Sequence, residues 1–255
     1  MASDAAEWTT DRVLGGRLSL RQPRRGHRVG HDAILLAAAT AARDGDHAVD
    51  LGAGVGAAGL ALAARVPRLA VTLVEVDPAL ADLCAENIER NGLGDRTRAV
   101  MLDVTGAATA FDAARLSAGT ATHVLMNPPF NDPARQRVSP DDTRSLAHSG
   151  AGLGPWVRAA SRLLEPRGIL TLIWRADGLA DVLGTLAGGF GGIAVLPVHP
   201  RPGAPAIRIL VRATKASRGP LSLLPGLVLA EADGAPTPEA EAVLRHAEPL
   251  PLSGS

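Results

Sequence analysis

Short apolar stretches with the period of a strand alternate with longer stretches that have the period of a helix through most of this chain. The predicted strands cover residues 47–51, 70–75, 98–102, 123–126 and 169–174, and the predicted helices cover residues 57–65, 78–91 and 153–164. Parallel strands need crossover connections of this kind, usually a helix. The alternation therefore predicts an α/β fold in which helices cover both faces of a parallel sheet.

The last two predicted strands, residues 193–198 and 207–213, break this alternation because only the eight residues His199 to Ala206 separate them. Eight residues leave no room for a crossover helix, so we predict that these two strands run antiparallel. Their proline-rich connection then lies at the same edge of the sheet as the other strand-to-helix loops. Ligands of open α/β sheets bind at that edge.

Two further segments flank this core. Residues 11–29 alternate around the basic segment 23–28 and are predicted to form a β-hairpin, which a helix over 31–42 follows. Residues 219–255 combine Pro, Gly and polar clusters with one predicted helix over 238–246, which indicates a tail packed on the domain. We divide the chain into an N-terminal hairpin and helix (1–46), a core (47–215) and a C-terminal tail (216–255).

The glycine-rich segment 50–56 joins the first core strand to its helix. Glycines at such a turn permit tight bending and close approach of the backbone to a ligand. Gly52, Gly54 and Ala57 also satisfy the G-x-G-x-x-G/A pattern of dinucleotide-binding proteins, with Glu75 near the interval of a ribose contact. The loop alone therefore fits either a nicotinamide dinucleotide or S-adenosylmethionine.

Three features favour S-adenosylmethionine over a dinucleotide. Asp50 ends the strand directly before the glycines, Asp103 follows the third core strand, and the tetrapeptide Asn127-Pro128-Pro129-Phe130 follows the fourth. A carboxylate such as that of Asp50 repels a pyrophosphate but attracts the ammonium group of a methionine moiety. The combination predicts that the loop binds a methyl donor.

The tetrapeptide 127–130 has the groups that methyl transfer to a planar nitrogen requires. An exocyclic amine of adenine, or an amide nitrogen, shares its lone pair with a π-system and is a weak nucleophile. The side-chain oxygen of Asn127 and the carbonyl of Pro128 can each accept one N–H and so localise that lone pair. Two prolines stiffen the turn, and Phe130 offers a face for stacking a base. As a bare motif, Asn-Pro-Pro is equally consistent with a turn that ends a strand.

The composition narrows the classes of protein to which the chain can belong. The formal net charge is zero, so any nucleic acid must be bound by local clusters of arginine. Cys84 is the only cysteine, which excludes an internal disulfide and a multi-cysteine metal site and indicates a reducing compartment. The longest apolar stretch, residues 33–42, is shorter than the roughly 20 residues that span a bilayer, and residues 1–4 lack the basic start of a signal peptide. We expect a cytoplasmic protein without a membrane segment or a bound metal.

With these residues assembled, the chain resembles the class I S-adenosylmethionine-dependent methyltransferases, and more narrowly the bacterial tRNA(Val) adenine-N6 methyltransferases, over about residues 11–215. The resemblance rests on residues 50–56, Glu75, Asp103, the tetrapeptide 127–130 and the upstream segment Val29-Gly30-His31-Asp32-Ala33. It implies a Rossmann-like class I methyltransferase fold with a mostly parallel sheet and an antiparallel last strand.

The same resemblance implies roles for individual residues. Asp50 and the glycines would lie near the methionine part, Glu75 would bind the ribose hydroxyls, and Asp103 would reach the adenine amine. The implied cofactor pocket consists of Gly30, Asp32, Asp50, Gly52, Ala53, Gly54, Gly56, Glu75, Val76, Leu102, Asp103, Val104 and Asn127. Structural alternatives stay open for two of these aspartates, since Asp32 and Asp103 could cap neighbouring segments, and we expect Asp77 to cap the helix that Pro78 begins.

On the acceptor side, the resemblance implies that three basic segments face the substrate. They contribute Arg24, Arg25 and Arg28 in the predicted hairpin loop Arg21–Arg28, His148 within residues 135–148, and Arg201 in the proline-rich loop. Arginines on loops are commonly exposed to solvent without binding anything, so these residues are equally consistent with no contact to the substrate.

We therefore predict an enzyme that transfers a methyl group from S-adenosylmethionine to the exocyclic N6 of adenine in structured RNA, with tRNA as the expected partner. Asn127, Pro128, Pro129 and Phe130 are the predicted catalytic residues. The same residues suit other conjugated nitrogens, namely a glutamine amide of a protein, guanine N2 of ribosomal RNA or adenine in DNA. A nicotinamide-dependent oxidoreductase and a non-catalytic RNA-binding module are the alternatives from other classes.

Overall fold

The computed structural model describes residues 8–24, 29–129 and 152–252. The elements are β1 (Trp8–Val13), β2 (Leu18–Pro23), α1 (His31–Ala39), β3 (His47–Leu51), α2 (Ala57–Arg65), β4 (Ala70–Glu75), α3 (Pro78–Arg90), β5 (Thr97–Met101), α4 (Ala108–Ala113), β6 (Ala121–Met126), α5 (Gly154–Leu163), β7 (Leu164–Arg175), α6 (Leu179–Leu186), β8 (Phe190–His199), β9 (Arg208–Lys215), β10 (Ser222–Leu223), β11 (Leu227–Val228) and α7 (Pro238–His246). None of these helices has both the length and the apolar character that crossing a membrane requires.

A nine-stranded sheet forms the centre of the described structure. Its strand order is β10-β8-β9-β7-β6-β3-β4-β5, with β11 also paired to β8. Strands β3 to β7 pair in parallel, whereas β9 runs antiparallel between β7 and β8. The predicted α/β fold and the antiparallel pairing of the last two core strands are confirmed.

Each face of the sheet buries its own apolar cluster, because successive side chains of a strand point to opposite faces. On the face covered by α1, α2 and α7, the strands contribute Ala48, Leu73 and Leu125. On the face covered by α4, α5 and α6, they contribute Val49 and Leu172. A central strand such as β3 therefore buries side chains on both faces, and a buried leucine here contributes on the order of 2 kcal/mol.

Helix α3 begins and ends where its sequence predicts. Asp77 is the N-cap, and its side chain accepts hydrogen bonds from the N–H groups of Ala79 (2.8 Å) and Leu80 (3.1 Å). Pro78 occupies the first turn, where a missing N–H is not needed. Asn91 is the C-cap, and Gly92 follows with a positive φ of 63°. The expected capping role of Asp77 is confirmed.

The N-terminal hairpin exists, but the prediction that its turn is the basic segment was wrong. β1 pairs with β2, and the chain reverses at Leu14–Gly16, while Pro23, the first residue of the basic segment, ends the second strand. Gly15 and Gly16 adopt positive φ angles of 63° and 90°, which suit a tight turn. The alternating burial of β2 then packs Leu18 and Leu20 into the core.

Several boundaries and short elements also differ from the prediction. Helix α1 ends at Ala39 rather than at residue 42, and the Oγ1 hydroxyl of Thr40 donates to the carbonyl of Leu36. The guanidinium of Arg65 then donates to the carbonyls of Ala37 and Thr40 at this helix end. Helices α4 and α6 and strands β10 and β11 were not predicted, because each is too short to show a clear period.

The C-terminal residues pack against the N-terminal part of the chain. Arg17 Nη1 donates to the carbonyl of His246 at 3.0 Å, and the N–H of Leu250 donates to the carbonyl of Ala38 at 2.9 Å. The predicted helix over 238–246 is confirmed as α7. From these contacts we propose that the segments 1–46, 47–215 and 216–255 are parts of one folding unit.

Candidate active site

The polar residues singled out in the sequence follow adjacent parallel strands. β3 lies between β4 and β6, and Leu51 is level with both Val74 and Met126. The glycine loop after β3 is therefore flanked by Glu75 at the end of β4 and by Asn127 directly after β6. The carboxyl edge of the sheet brings these groups to one site, where ligands of such sheets bind.

Three glycines of the loop have left-handed backbone conformations but different surroundings. Gly52, Gly54 and Gly56 have φ angles of 71°, 59° and 89°. A Cβ atom on Gly52 would lie 2.7 Å from the ring of Trp156, and one on Gly56 would lie 3.0 Å from Leu73. A Cβ atom on Gly54 would meet nothing within 4 Å. Gly52 and Gly56 thus serve packing, whereas the space beside Gly54 is open.

Glu75 fixes the loop through backbone hydrogen bonds. Its side chain is 8% exposed; Oε2 accepts from the N–H of Gly54 at 2.8 Å, and Oε1 accepts from Val76 (2.8 Å) and Asp77 (3.0 Å). A carboxylate can accept about four hydrogen bonds. Capacity therefore remains for one hydroxyl donor such as a ribose.

Asp50 lies beneath the glycine loop rather than at its open surface. The residue is 2% exposed, and its Oδ2 accepts from the N–H of Gly59 in α2 at 2.8 Å. The pKa of this carboxyl group is raised to about 7, chiefly by burial; the Gly59 hydrogen bond acts to lower it and the charge of Glu75 to raise it. The Gly59 bond uses only one of the acceptor positions of this carboxylate, and a contact of Asp50 with a methionine ammonium stays a prediction.

The raised pKa of Asp50 predicts a pH-dependent stability. Because the native state holds this proton more tightly than the unfolded chain, with an ordinary pKa of 3.8, stability is greatest at low pH and falls as pH rises towards 7. Asp50→Asn keeps an acceptor for Gly59 and carries no charge. Between pH 5 and pH 7, we expect the wild-type unfolding free energy to fall by about 2 kcal/mol relative to the variant.

Urea denaturation of both proteins across this pH range measures the difference. Thr97→Val, a substitution at another buried polar residue without an ionisable group, is the matched control and should follow the wild-type pH profile. Parallel wild-type and Asp50→Asn curves would contradict a buried, proton-binding Asp50.

Asn127 carries an unsatisfied acceptor at the site. Its Oδ1 atom is buried and has no hydrogen-bond partner within the described residues. Leaving such a group unpaired costs about 1–3 kcal/mol. Pro128 is buried and Pro129 exposed, whereas Phe130 lies outside the described residues. The role of this acceptor towards a ligand stays a prediction.

The remaining predicted pocket residues divide by exposure. Val76 is 42% exposed at the end of β4, while Leu102 and Val104 are buried at 8% and 7% within the core. Asp103 Oδ1 accepts from the N–H (2.8 Å) and the hydroxyl (2.7 Å) of Thr105, as the capping alternative predicts. Val76 is thus the most accessible of these apolar side chains.

The start of α1 shows a different arrangement from the capping alternative. Gly30 is the N-cap, so the suggestion that Asp32 caps this helix was wrong. Asp32 Oδ2 instead accepts from Arg208 Nε at 2.8 Å, which joins α1 to the start of β9. The predicted contact of Gly30 and Asp32 with the cofactor stays a prediction.

The predicted acceptor-side residues are only partly described. Arg24 is exposed just after β2, and Arg201 is exposed in the β8–β9 loop at the carboxyl edge. Arg25, Arg28 and His148 lie outside the described residues. Across the described ranges, no three His, Cys, Asp or Glu side chains come together as metal ligands would.

Sequence reasoning missed three residues that shape this site. Trp156 packs on Gly52, and Arg208 pairs with Asp32. Asn87 of α3 is fully buried, and its side chain bonds to both β2 and the glycine loop. Only Asn87 had a sequence signal, because it interrupts the apolar stripe of α3 that includes Cys84 and Ile88.

The sheet with β9 inserted antiparallel between β7 and β8, the glycine loop after β3 and the Asn-Pro-Pro turn after β6 define a class I methyltransferase fold. The family model of the methyltransferase small domain matches residues 28–196, and the chain belongs to that family. The protein is therefore an S-adenosylmethionine-dependent methyltransferase.

Individual relatives agree on the family but not on the methyl acceptor. A protein of Bacteroides fragilis named tRNA1(Val) (adenine(37)-N6)-methyltransferase is 30% identical over 192 residues, covering 73% of this chain and 77% of that protein. A protein of Shewanella amazonensis with the same name is 29% identical over 148 residues, covering 58% of this chain and 60% of that protein. A crystal structure of a predicted O-methyltransferase from Agrobacterium tumefaciens is 33% identical, with a TM-score of 0.73 and coverage of 86% and 97% of the two chains.

Proposed function

We propose that this enzyme methylates the exocyclic N6 of an adenine in structured RNA, with a tRNA as its substrate. The observation that carries the proposal is the buried Oδ1 of Asn127 next to the glycine loop, which has no partner in the described part of the chain. The names of the Bacteroides and Shewanella relatives support the same acceptor.

The residues present suit the methyl donor. Gly54 leaves open space that a Cβ atom would fill, Glu75 retains acceptor capacity for a ribose hydroxyl, and Val76 offers an exposed apolar side chain. When bound, S-adenosylmethionine supplies a methyl carbon activated by a positively charged sulfur. We assign the adenosine half to Glu75, Val76 and Asp103, and the methionine half to the glycine loop.

Asn127 and Pro128 act on the acceptor nitrogen. The Asn127 Oδ1 atom and the Pro128 carbonyl each accept one N–H of the amine, which localises its lone pair towards the methyl carbon. Positive charge then develops on the nitrogen, so both hydrogen bonds strengthen in the transition state. The methylated nitrogen becomes acidic and releases its proton to solvent, so no general base is required.

The two hydrogen-bond acceptors, Asn127 Oδ1 and the Pro128 carbonyl, favour one class of methyl acceptor over another. A hydroxyl group has one hydrogen to donate, whereas an amine or a primary amide has two, which matches Asn127 and Pro128 together. This match favours nitrogen over the oxygen acceptor in the name of the Agrobacterium protein. A protein glutamine amide satisfies the same geometry and is the second candidate.

A labelling experiment tests the acceptor. Purified protein is incubated with S-adenosylmethionine labelled in its methyl group and, separately, with total tRNA, ribosomal RNA, genomic DNA and cell protein. We expect label in tRNA alone, recovered after nucleoside digestion as N6-methyladenosine. Asn127→Leu, which keeps the side-chain size without the acceptor, serves as the inactive control.

Other outcomes would redirect the assignment. Label on protein glutamine would favour the second candidate, and label on guanine or in DNA would reject the adenine of RNA. Calorimetry that showed binding of NADH rather than S-adenosylhomocysteine would contradict the methyl donor itself.

A further inference from the structure

Two asparagines of α3 pair with the backbone of β2 as a neighbouring strand would. Asn87 Oδ1 accepts from the N–H of Arg21 at 2.7 Å and its Nδ2 donates to the Arg21 carbonyl at 3.0 Å. Asn91 makes the same two bonds with Ser19, at 2.9 and 3.0 Å. The spacings agree, because four helical residues rise about 6 Å and two strand residues about 6.7 Å. These two amides dock the hairpin on the core.

Of these two asparagines, only Asn87 also bonds to the glycine loop. The second N–H of its Nδ2 donates to the carbonyl of Val55 at 3.0 Å, and the residue is completely buried. One turn earlier on α3, Cys84 Sγ donates to the carbonyl of Gly54 at 3.1 Å. In a trans peptide the C=O and the following N–H point in opposite directions. The N–H of Val55 is thereby turned away from α3, on the side opposite the carbonyl that Cys84 holds.

The hydrogen bonds continue from the hairpin to the start of α1. Gln22, which follows Arg21, is 3% exposed, and its Oε1 accepts from the N–H of Val29 at 2.8 Å. Val29 precedes Gly30, the N-cap of α1. The glycine loop, the hairpin and residues 29–32 are therefore joined in sequence by buried side-chain amides.

We propose that Asn87 is a positioning residue that couples cofactor binding at the glycine loop to the placement of the hairpin and of Arg24 at its end. Both N–H groups of its amide and its oxygen are already used, so the amide cannot follow a shift of the Val55 carbonyl without disturbing its bonds to Arg21. Such coupling is reciprocal, so acceptor RNA should also bind more tightly when the cofactor is present. The identity of the two ligands rests on the function proposed above.

Hydrogen exchange of the hairpin amides tests the coupling without turnover. S-adenosylhomocysteine is added to saturation, as established by calorimetry, and exchange at Arg21 is compared with and without it. In the wild type we expect the ligand to slow this exchange at least about fivefold. In Asn87→Ala the ligand should leave the Arg21 rate unchanged.

Asn91→Ala is the matched control, because Asn91 holds the same strand but has no bond to the glycine loop. Its hairpin should exchange faster throughout, yet S-adenosylhomocysteine should still slow Arg21. A general loss of stability would instead affect both variants alike, which would contradict a specific role for Asn87.

The wild-type comparison decides the matter even if Asn87→Ala does not fold. Saturable S-adenosylhomocysteine binding with unchanged Arg21 exchange would overturn the coupling and leave the proposed function intact. Absence of any binding in calorimetry would overturn both. Where RNA methylation is measured, Asn87→Ala should raise the KM for RNA by at least about fivefold with little change in kcat.

Discussion

Asn127→Ala is expected to lower kcat/KM for methyl transfer by about 10²- to 10³-fold while changing the Kd of S-adenosylhomocysteine by less than about threefold. The reason is that Oδ1 of Asn127 is buried without a partner among the described residues, and the proposed function pairs it with an N–H of the methyl acceptor. An interaction made mainly with the reacting nitrogen stabilises the transition state more than the bound cofactor. Single-turnover rates together with calorimetry measure the two effects separately.

Two further substitutions separate hydrogen bonding from shape. Asn127→Leu keeps a similar volume but no acceptor and should be as inactive as Asn127→Ala. Asn127→Asp retains oxygen acceptors and should keep more activity than either. If Asn127→Leu turned over at the wild-type rate, the side chain would be a packing element and the Asn-Pro-Pro segment merely a turn.

Local sequence signals predicted the scaffold well. The period of the strands and helices predicted the positions of β3 to β7 along the chain and their parallel pairing, and the short connection at 199–206 predicted the antiparallel pairing of β8 with β9. Asp77 and Asn91-Gly92 marked the ends of α3 because capping depends on residues only a few positions apart. These features need no knowledge of tertiary contacts.

Contacts between residues that are far apart in the sequence could not be predicted from such local patterns. Arg208 pairs with Asp32 from 176 positions away in the sequence, and Trp156 of α5 packs on Gly52 of the glycine loop. The direction of the Asp50 side chain, by contrast, was available, since strand alternation puts it on the α2 face with Ala48. What the fold adds is the bond from the N–H of Gly59, which holds the carboxylate beneath the loop.

The glycine loop makes a second, matched pair of predictions because Gly52 and Gly54 share a backbone conformation but not an environment. Either change to Ala costs about 1–2 kcal/mol, since an L-residue is strained at positive φ. Gly52→Ala also forces a Cβ atom to 2.7 Å from the Trp156 ring. We therefore expect Gly52→Ala to lose about 3–4 kcal/mol of unfolding free energy, measured by urea denaturation.

Gly54→Ala should show the opposite balance, with a small loss of stability and a large loss of cofactor affinity. Its Cβ atom meets no protein atom within 4 Å, and in the proposed function it occupies space that the cofactor needs. A methyl group that overpacks such a contact costs about 1–3 kcal/mol, so the Kd of S-adenosylhomocysteine should rise by about 10- to 100-fold. A Gly54→Ala protein that bound S-adenosylhomocysteine as the wild type does would place the ligand elsewhere, since the open space at Gly54 is the structural basis for assigning the methionine half to this loop.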